Sequence, residues 1–376
     1  MNRTRVPRGV PAPTGAALSG PALTGSAVTG LGLTGLATLL GTAAGLALER
    51  RLVTTRIRRR SAAEGECGAP FFSLRSPGPD VRTPDGVVLH TEVDEVPDQP
   101  DDLTVVLVHG YALGLDCWHF QRAHLRGRIR TVLYDQRSLG RSTRSDPDRC
   151  RIPQLADDLA QVLAEVVGPG PVVLVGHSMG GMTIMRLAQT RPELFGERVR
   201  GVALFSTAAG EISQYSPVPG LSGSAFTQLV PPLLAALNRL PALVDRSRGS
   251  GSDLAHLVTR RLAFGSDVPV DHVEFMSDML AETSLQAVAD YYPAFDEVDE
   301  YRALEVLRSV PTAVVGGEDD LVTPLDHTNR IAEQLPEADV RRLPHCGHMG
   351  MIEHHDVFNS VLDDLVGRIR GTNQTL

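Results

Sequence analysis

A serine stands between two glycines in Gly176-His177-Ser178-Met179-Gly180, directly after the apolar run 172–175. This is the G-x-S-x-G pattern, in which a tight strand-to-helix turn exposes the serine hydroxyl. A serine hydroxyl is a weak nucleophile and needs a base within hydrogen-bond distance to take its proton. The pattern therefore predicts that Ser178 is a nucleophile. It also predicts that the Met179 N–H lies at a helix start, where it stabilises an oxyanion.

The base that such a serine needs is predicted in a loop near the carboxyl terminus. Residues 343–349 read Leu-Pro-His-Cys-Gly-His-Met and lie between the last predicted strand and the last predicted helix. We predict that His348, which follows a glycine, is the general base. His345 in the same loop is the alternative.

A carboxylate is expected between the serine and the histidine in chain order. Residues 316–324 read Gly-Gly-Glu-Asp-Asp-Leu-Val-Thr-Pro and follow the apolar run 312–315. Asp320 would lie at the carboxyl end of that strand, where it can accept from the imidazole and hold its tautomer. We prefer Asp320 to Asp319 because it stands four residues before Pro324. A structural alternative is that both carboxylates cap the following helix.

A second oxyanion donor is predicted after the strand Thr104–Val108, which leads into His109-Gly110-Tyr111. The Tyr111 N–H is that donor. The loop behind it contains Trp118, the only tryptophan of the chain, which either lines a pocket or belongs to the core.

Residues with metal-binding side chains also lie close together near the carboxyl terminus. They are His345, Cys346, His348, His354 and His355. Their spacing matches no compact zinc signature. We therefore predict neither a metal nor an organic cofactor, and we expect His354 and His355 to be surface residues at a helix start.

These residues need a scaffold, and the apolar runs between them predict one. Short Val/Leu/Ile runs that alternate with amphipathic stretches are typical of a mostly parallel sheet with helices on both faces. Asp85-Gly86 between residues 81–83 and 87–89 predicts a preceding hairpin. The predicted strands are 104–108, 129–134, 172–175, 202–205, 312–315 and 339–343, and the predicted helices are 117–126, 152–167, 179–189, 326–334 and 357–369.

Residues 209–300 do not continue this alternation. They begin with a Pro/Gly/Ser-rich stretch and continue with helix-like runs, the first at 226–240. We predict that they form a helical cap over the carboxyl edge of the sheet, where ligands bind in open α/β sheets. The α/β core would then comprise residues 71–208 and 301–370.

The first 60 residues are predicted to lie outside this fold as a low-complexity segment. Residues 31–48 are uncharged, rich in Leu and Ala, and just long enough for a membrane-spanning helix. Six arginines after them outnumber three before them, so an anchor would leave the catalytic domain in the cytoplasm. The alternatives are a cleaved export signal and a disordered tail on a soluble cytoplasmic protein.

The net charge of −9 hides a basic amino terminus and an acidic body. Residues 1–60 carry nine arginines and one acid, so residues 61–376 carry a larger negative charge than the whole chain. An acidic body argues against nucleic acid as a partner, because phosphate binding needs a basic face. An uncharged small molecule remains the expected partner, and the sequence does not indicate an oligomeric state.

Taken together, the motifs resemble those of the α/β-hydrolase fold family, in its capped, lipase- and esterase-like branch. The resemblance covers residues 81–370. It implies a Ser178–Asp320–His348 triad after the fifth, seventh and eighth strands, with oxyanion N–H groups from Tyr111 and Met179. The motifs that carry it are His109-Gly110, the stretch 135–142, Gly176-His177-Ser178-Met179-Gly180, the stretch 317–324 and Gly347-His348.

Two positions distinguish the chain within that family. Ser138 stands in the loop after Asp135 and Arg137, where relatives usually have glycine. Ser178 stands where the family's epoxide hydrolases and haloalkane dehalogenases use aspartate. The resemblance therefore implies a serine hydrolase that cleaves carboxylic esters, including lipid-like ones, through an acyl-enzyme. Two alternatives are perhydrolysis or C–C bond hydrolysis by the same triad, and a non-catalytic binding protein with this fold.

Overall fold

The computed structural model describes residues 69–97, 103–216, 221–225, 228–230, 232 and 253–373. The predicted low-complexity segment 1–60, with the candidate anchor 31–48, lies outside the described residues. So does most of the predicted helix 226–240. Within the described ranges, no helix has both the length and the apolar character needed to cross a membrane.

A seven-stranded sheet organises the described chain, with the strand order β3-β5-β4-β6-β7-β8-β9. All neighbouring strands are parallel except β3, which pairs antiparallel with β5 at one edge. A separate two-stranded hairpin, β1-β2, confirms the predicted turn at Asp85-Gly86. The strands are β1 Val81–Arg82, β2 Val88–Leu89, β3 Thr91–Asp94, β4 Thr104–Val108, β5 Arg130–Tyr134, β6 Val172–His177, β7 Val199–Phe205, β8 Thr312–Gly317 and β9 Asp339–Leu343.

Helices cover both faces of this sheet, which confirms the predicted fold class. The predicted helix 152–167 is an α-helix over Ile152–Val162 that continues as a short π-helix over Leu163–Val167. The helices are α1 His119–Leu125, α2 Ile152–Val162, α3 Met179–Thr190, α4 Asp253–Ala263, α5 Val270–Glu282, α6 Leu285–Tyr291, α7 Ala303–Leu307, α8 Leu325–Gln334, α9 Gly350–Glu353 and α10 His355–Asn373.

Alternate residues of the central strands pack into two separate hydrophobic layers. Val105 and Leu107 of β4 face one layer with α1 and α10, whereas Val106 and Val108 face the other with α2, α3, α7 and α8. Side chains on a strand point alternately to opposite faces, so a strand covered on both sides needs apolar residues throughout. This explains why the buried strands are continuous apolar runs in the sequence.

The edge strand β3 was not predicted, and its charged residues explain why. Glu92 and Asp94 are buried and both bind the buried Arg122 of α1, at 2.6 Å and 2.8 Å. Burial alone would raise the pKa of Glu92, but hydrogen bonds from His90 and Arg122 lower that pKa to about 2. Acidic residues at alternate positions resemble a solvated surface in the sequence, although here they form a buried ion cluster.

The two ends of the segment inserted between β7 and β8 lie next to each other. Gly210 forms an antiparallel bridge with Asp299, and the Glu300 N–H donates to the Ala209 carbonyl at 2.6 Å. The described part of this inserted segment contains α4, α5 and α6, and α7 follows it in the core. The insertion therefore begins and ends beside the carboxyl end of β7.

Candidate active site

The turn after β6 holds Ser178 in an unusual backbone conformation. Ser178 is the residue before α3 and has φ 53° and ψ −119°. Such a conformation costs a residue with a Cβ on the order of 1–3 kcal/mol and persists only where its surroundings enforce it. The Ser178 N–H donates to the Phe205 carbonyl at 3.0 Å, and the Thr207 hydroxyl donates to the Ser178 carbonyl at 2.6 Å. Both contacts come from β7 and the chain just after it, so β7 fixes the turn.

Close backbone packing explains the glycine after the serine. A Cβ built on Gly180 would lie 2.0 Å from the Val108 carbonyl oxygen at the end of β4. No heavy atom fits at that distance, so α3 can approach β4 only when residue 180 is glycine. The same approach brings the N terminus of α3 beside the loop that begins at His109.

The variant Gly180→Ala is therefore expected to lose stability and activity together. Forcing an atom into packed backbone typically costs about 1–3 kcal/mol or more. Thermal unfolding followed by circular dichroism measures this loss. Gly367→Ala in α10 is the matched control, because a Cβ there meets no atom within 4 Å. It should stabilise α10 by up to about 1 kcal/mol. Equal melting temperatures for Gly180→Ala and the wild type would contradict the packing argument.

Asp320 and His348 form a buried pair. The His348 Nδ1 lies 2.9 Å from an Asp320 carboxylate oxygen, and the Asp320 side chain is completely buried. The other Asp320 oxygen accepts the N–H groups of Val322 and Thr323, each at 2.8 Å. An ionised carboxylate only accepts hydrogen bonds, so the Nδ1 carries the proton and the Nε2 lone pair is left for another proton. The arrangement orients an imidazole as a base.

Thr323 contacts both members of this pair and was not predicted from the sequence. Its hydroxyl lies 2.8 Å from the same Asp320 oxygen that contacts His348, 2.9 Å from the Ser206 carbonyl oxygen and 3.2 Å from the His348 Nδ1. It thereby links the acid, the base and the end of β7. Its position three residues after Asp320 is the only sequence signal for this role.

The structure brings His348 against the nucleophile turn through the neighbouring His177. The His177 Nε2 is 2.9 Å from the His348 carbonyl oxygen, and the two ring centroids are 4.8 Å apart. Burial lowers the pKa of His177 well below its usual value, and the nearby His348 lowers it further. His177 is therefore neutral, and its Nε2–H donates to the backbone of the predicted base.

The Ser178 hydroxyl itself makes no hydrogen bond to any residue that the structure describes. Ser178 and His348 are nevertheless both slightly exposed, at 6% and 9%. Hydrogen bonds between catalytic groups are often long without substrate and shorten in the reacting complex. The turn and the base thus adjoin each other, and the predicted contact between the hydroxyl and the imidazole is not formed.

The alternative pair, Asp319 and His345, lies apart from this arrangement. The His345 side chain is 84% exposed and the Asp319 side chain 48% exposed, with 3.7 Å between His345 Nδ1 and a carboxylate oxygen. Exposed ion pairs contribute little energy and orient little. The geometry therefore favours Asp320 and His348, the residues preferred from the sequence.

The loop after β4 lies directly against the nucleophile turn. A Cβ on Gly110 would lie 3.1 Å from the Ser178 Cβ. His109 fixes this loop, because its Nε2 accepts the Gln136 N–H at 2.9 Å while its Nδ1 lies 2.8 Å from the Gly110 carbonyl. Burial lowers the pKa of His109, so the ring is neutral. The Tyr111 N–H donates to none of the described residues.

The Met179 N–H is the other predicted oxyanion donor. Met179 is the first residue of α3, and the first N–H groups of a helix have no partner within it. Helix N-termini also carry partial positive charge. This N–H and that of Tyr111 come from two loops that touch at Gly110 and Ser178, which is the arrangement that a developing oxyanion requires.

The inserted segment contacts this site with apolar and aromatic groups. The Tyr111 hydroxyl donates to the Val288 carbonyl of α6 at 2.5 Å, and its ring lies 5.0 Å from that of Phe295. Met179 and Tyr291 belong to the same hydrophobic cluster. Trp118, by contrast, is completely buried in a core layer and packs against Phe205.

One group of metal-binding side chains exists among the described residues, formed by Cys346, Glu353 and His354. Burial raises the pKa of the Cys346 thiol, and nearby carboxylates raise it further. Metal binding needs the thiolate. The Glu353 oxygens already accept three backbone N–H groups. The donor set therefore fits a metal poorly.

His355 was expected at the surface, but its ring stacks on Phe120, with 4.2 Å between the ring centroids.

Comparison with known proteins finds similarity to one family and to several hydrolases. A sequence profile of the Alpha/beta hydrolase family matches residues 105–361. A Stutzerimonas stutzeri protein named as a candidate carbamate hydrolase, RutD, is 24% identical over 71% of this chain and 92% of its own length. The 2-hydroxy-6-oxononadienedioate/2-hydroxy-6-oxononatrienedioate hydrolase 1 of Dechloromonas aromatica is 26% identical over 70% of this chain and 86% of its own. The structure of a thermophilic esterase from Thermogutta terrifontis matches 78% of this chain and 99% of its own, with 22% identity and a TM-score of 0.58.

Proposed function

The chain belongs to the alpha/beta hydrolase family and is a hydrolase, and we propose that it cleaves carboxylic esters through an acyl-enzyme on Ser178. The observation that carries the proposal is the buried Asp320–His348 contact of 2.9 Å beside a serine with φ 53°. An oriented imidazole next to a strained serine turn is what a hydroxyl needs to become nucleophilic.

The reaction begins with attack of the Ser178 hydroxyl oxygen on the ester carbonyl carbon. The His348 Nε2 takes the hydroxyl proton, and Asp320 stabilises the imidazolium through Nδ1. The oxyanion of the tetrahedral intermediate accepts the Met179 and Tyr111 N–H groups. His348 then protonates the leaving alcohol, and the acyl group remains on Ser178.

Water completes the cycle. His348 takes a proton from water as the oxygen attacks the acyl carbonyl carbon. The bond to Ser178 breaks, and the serine oxygen recovers its proton from His348. The mechanism uses groups of this chain, the substrate and one water molecule.

We further propose that residues 209–300 are a cap that contributes the acyl pocket. The pairing of Gly210 with Asp299 supports these bounds. The aromatic contacts of Tyr111 with Tyr291 and Phe295 support an apolar pocket wall. An apolar wall favours uncharged acyl groups, because a carboxylate moved into it would lose its hydration.

The charges around the cap favour esters over dicarboxylate substrates such as the one named for the Dechloromonas relative. Three arginines that contact the inserted segment are each already paired with one of its carboxylates. These pairings reduce the positive charge that the arginines can offer to a substrate carboxylate, and the reduction is smaller for Arg186 because burial raises the pKa of its partner Glu300 to about 7. The pairs are Arg144–Asp290, Arg151–Glu297 and Arg186–Glu300.

A substrate panel tests this proposal. Nitrophenyl esters of two to twelve carbons, a peracid-forming assay and a 2-hydroxy-6-oxo-dienedioate are compared with the same purified protein. We expect the highest kcat/KM for an uncharged ester and at least a hundredfold lower value for the dicarboxylate. Burying one more methylene is worth about 0.8 kcal/mol, so kcat/KM should rise about fourfold per added carbon until the pocket is full. A higher kcat/KM for the dicarboxylate would refute the ester assignment.

A further inference from the structure

Three successive residues at the predicted base each form a hydrogen bond through their own backbone N–H or carbonyl group. The Gly347 N–H donates to Glu353 at 2.7 Å, the His348 carbonyl accepts from His177, and the Met349 N–H donates to the Ala263 carbonyl at 2.8 Å. The bond to His177 connects the base to the sheet. The bond to Ala263 connects it to the end of α4, in the inserted segment. The position of the base is therefore shared between the sheet and the insertion.

Glu353 is the group that completes this connection. One carboxylate oxygen accepts the Gly265 N–H at 3.0 Å and the Ser266 N–H, while the other accepts the Gly347 N–H. A single side chain thus satisfies two amides of the loop after α4 and one amide of the base loop. Hydrogen bonds to a charged acceptor are about twice as strong as neutral ones, so this is a firm link between segments far apart in the chain.

The two loops also touch without intervening side chains. A Cβ on Gly347 would lie 2.6 Å from the Gly265 nitrogen and 2.7 Å from the Ala263 carbonyl oxygen. A Cβ on Gly265 would lie 2.8 Å from the Asp319 Cβ and 2.8 Å from the Cys346 carbonyl carbon. The loops therefore pack backbone to backbone, and a displacement of one is transmitted to the other.

We propose that Glu353 is a positioning residue, which locks the base loop 347–349 to the inserted-segment loop 263–266 and so lets the insertion set the place of His348. This inference rests on the proposed function, since it assigns His348 as the base. Proton transfer is sensitive to placement, and a shift of about 1 Å can cost a hundredfold in rate. Without the Glu353 carboxylate, three amides lose their acceptor, and only the Met349–Ala263 hydrogen bond and the backbone packing still join the two loops.

The test uses the full chain and a fluorophosphonate probe, whose reaction with Ser178 needs the base but no ester pocket. In Glu353→Gln, one acceptor oxygen remains, but an NH₂ group faces the amides. We expect the labelling rate and kcat for a nitrophenyl ester to fall at least tenfold, with KM changed less than twofold. The final fraction of labelled protein should remain complete, because the nucleophile turn is intact.

Gly265→Ala approaches the same connection from the inserted segment and should also lower the labelling rate at least tenfold. It decides the question if Glu353→Gln fails to fold. Ser284→Ala is the matched control, since it removes the hydroxyl that caps α6 in the insertion and does not touch the base loop. It should melt at a lower temperature and label at the wild-type rate.

Two results would overturn the inference. One is a wild-type labelling rate in folded Glu353→Gln or, if that variant does not fold, in Gly265→Ala. The other is an equal loss of rate in Ser284→Ala, which would make the effect one of general destabilisation. Failure of the proposed function itself is distinguishable, because the wild-type protein would then not be labelled on Ser178 at all.

Discussion

Ser178→Ala is expected to abolish ester hydrolysis, with kcat reduced on the order of 10⁶-fold. The alanine keeps the backbone turn and the oxyanion N–H groups but has no oxygen to attack the substrate. A small residual rate over water should persist, because the oxyanion donors and the pocket remain. Steady-state hydrolysis of a nitrophenyl ester measures the effect, at an enzyme concentration that makes the wild-type rate far exceed spontaneous hydrolysis.

Ser206→Ala is the control for that experiment. Ser206 directly follows β7, also has a positive φ of 44°, and is buried. Its hydroxyl has no hydrogen-bond partner among the described residues. Its removal should leave kcat within about threefold of the wild type. Wild-type turnover by Ser178→Ala, or an equal loss in Ser206→Ala, would refute the nucleophile assignment.

Asp320→Asn is expected to lower kcat about 10⁴-fold while the protein stays folded. An amide of the same shape can present its NH₂ to the His348 Nδ1, which then accepts instead of donating. The proton moves to Nε2, and the ring can no longer take the Ser178 proton. The retained contacts with the Val322 and Thr323 amides should hold the side chain in place.

The neighbouring Asp319→Asn separates this effect from a general loss of charge. Asp319 precedes Asp320 in the chain and pairs only with the exposed His345 among the ion pairs of the described residues. We expect kcat within about twofold of the wild type. A larger loss in Asp319→Asn than in Asp320→Asn would reverse the choice between the two carboxylates.

The core strands and the nucleophile turn could be predicted because each depends on local sequence. A buried parallel strand needs apolar residues on both faces, which gives continuous runs such as Thr104–Val108. The turn at Ser178 needs a small residue where α3 approaches Val108, which gives the glycine at 180. Ser138 has a φ of 63°, a conformation that glycine adopts readily, which explains why relatives usually have glycine at this position.

The edge strand and the connections between loops could not be predicted, because they depend on partners far away in the chain. Glu92 and Asp94 become buried only through Arg122 of α1. Glu353 finds its amide donors at Gly265 and Ser266, nearly ninety residues earlier. No local pattern marks such a pairing, and a carboxylate at a helix end is ordinarily a solvated group.

The most direct test of the central claim is mass spectrometry of the full-length protein after reaction with a fluorophosphonate. If Ser178 is the activated nucleophile, the protein gains the mass of one phosphonyl group, and peptide mapping assigns the adduct to residue 178. Folded protein that gains no mass, or that carries the adduct on another side chain, would contradict the account.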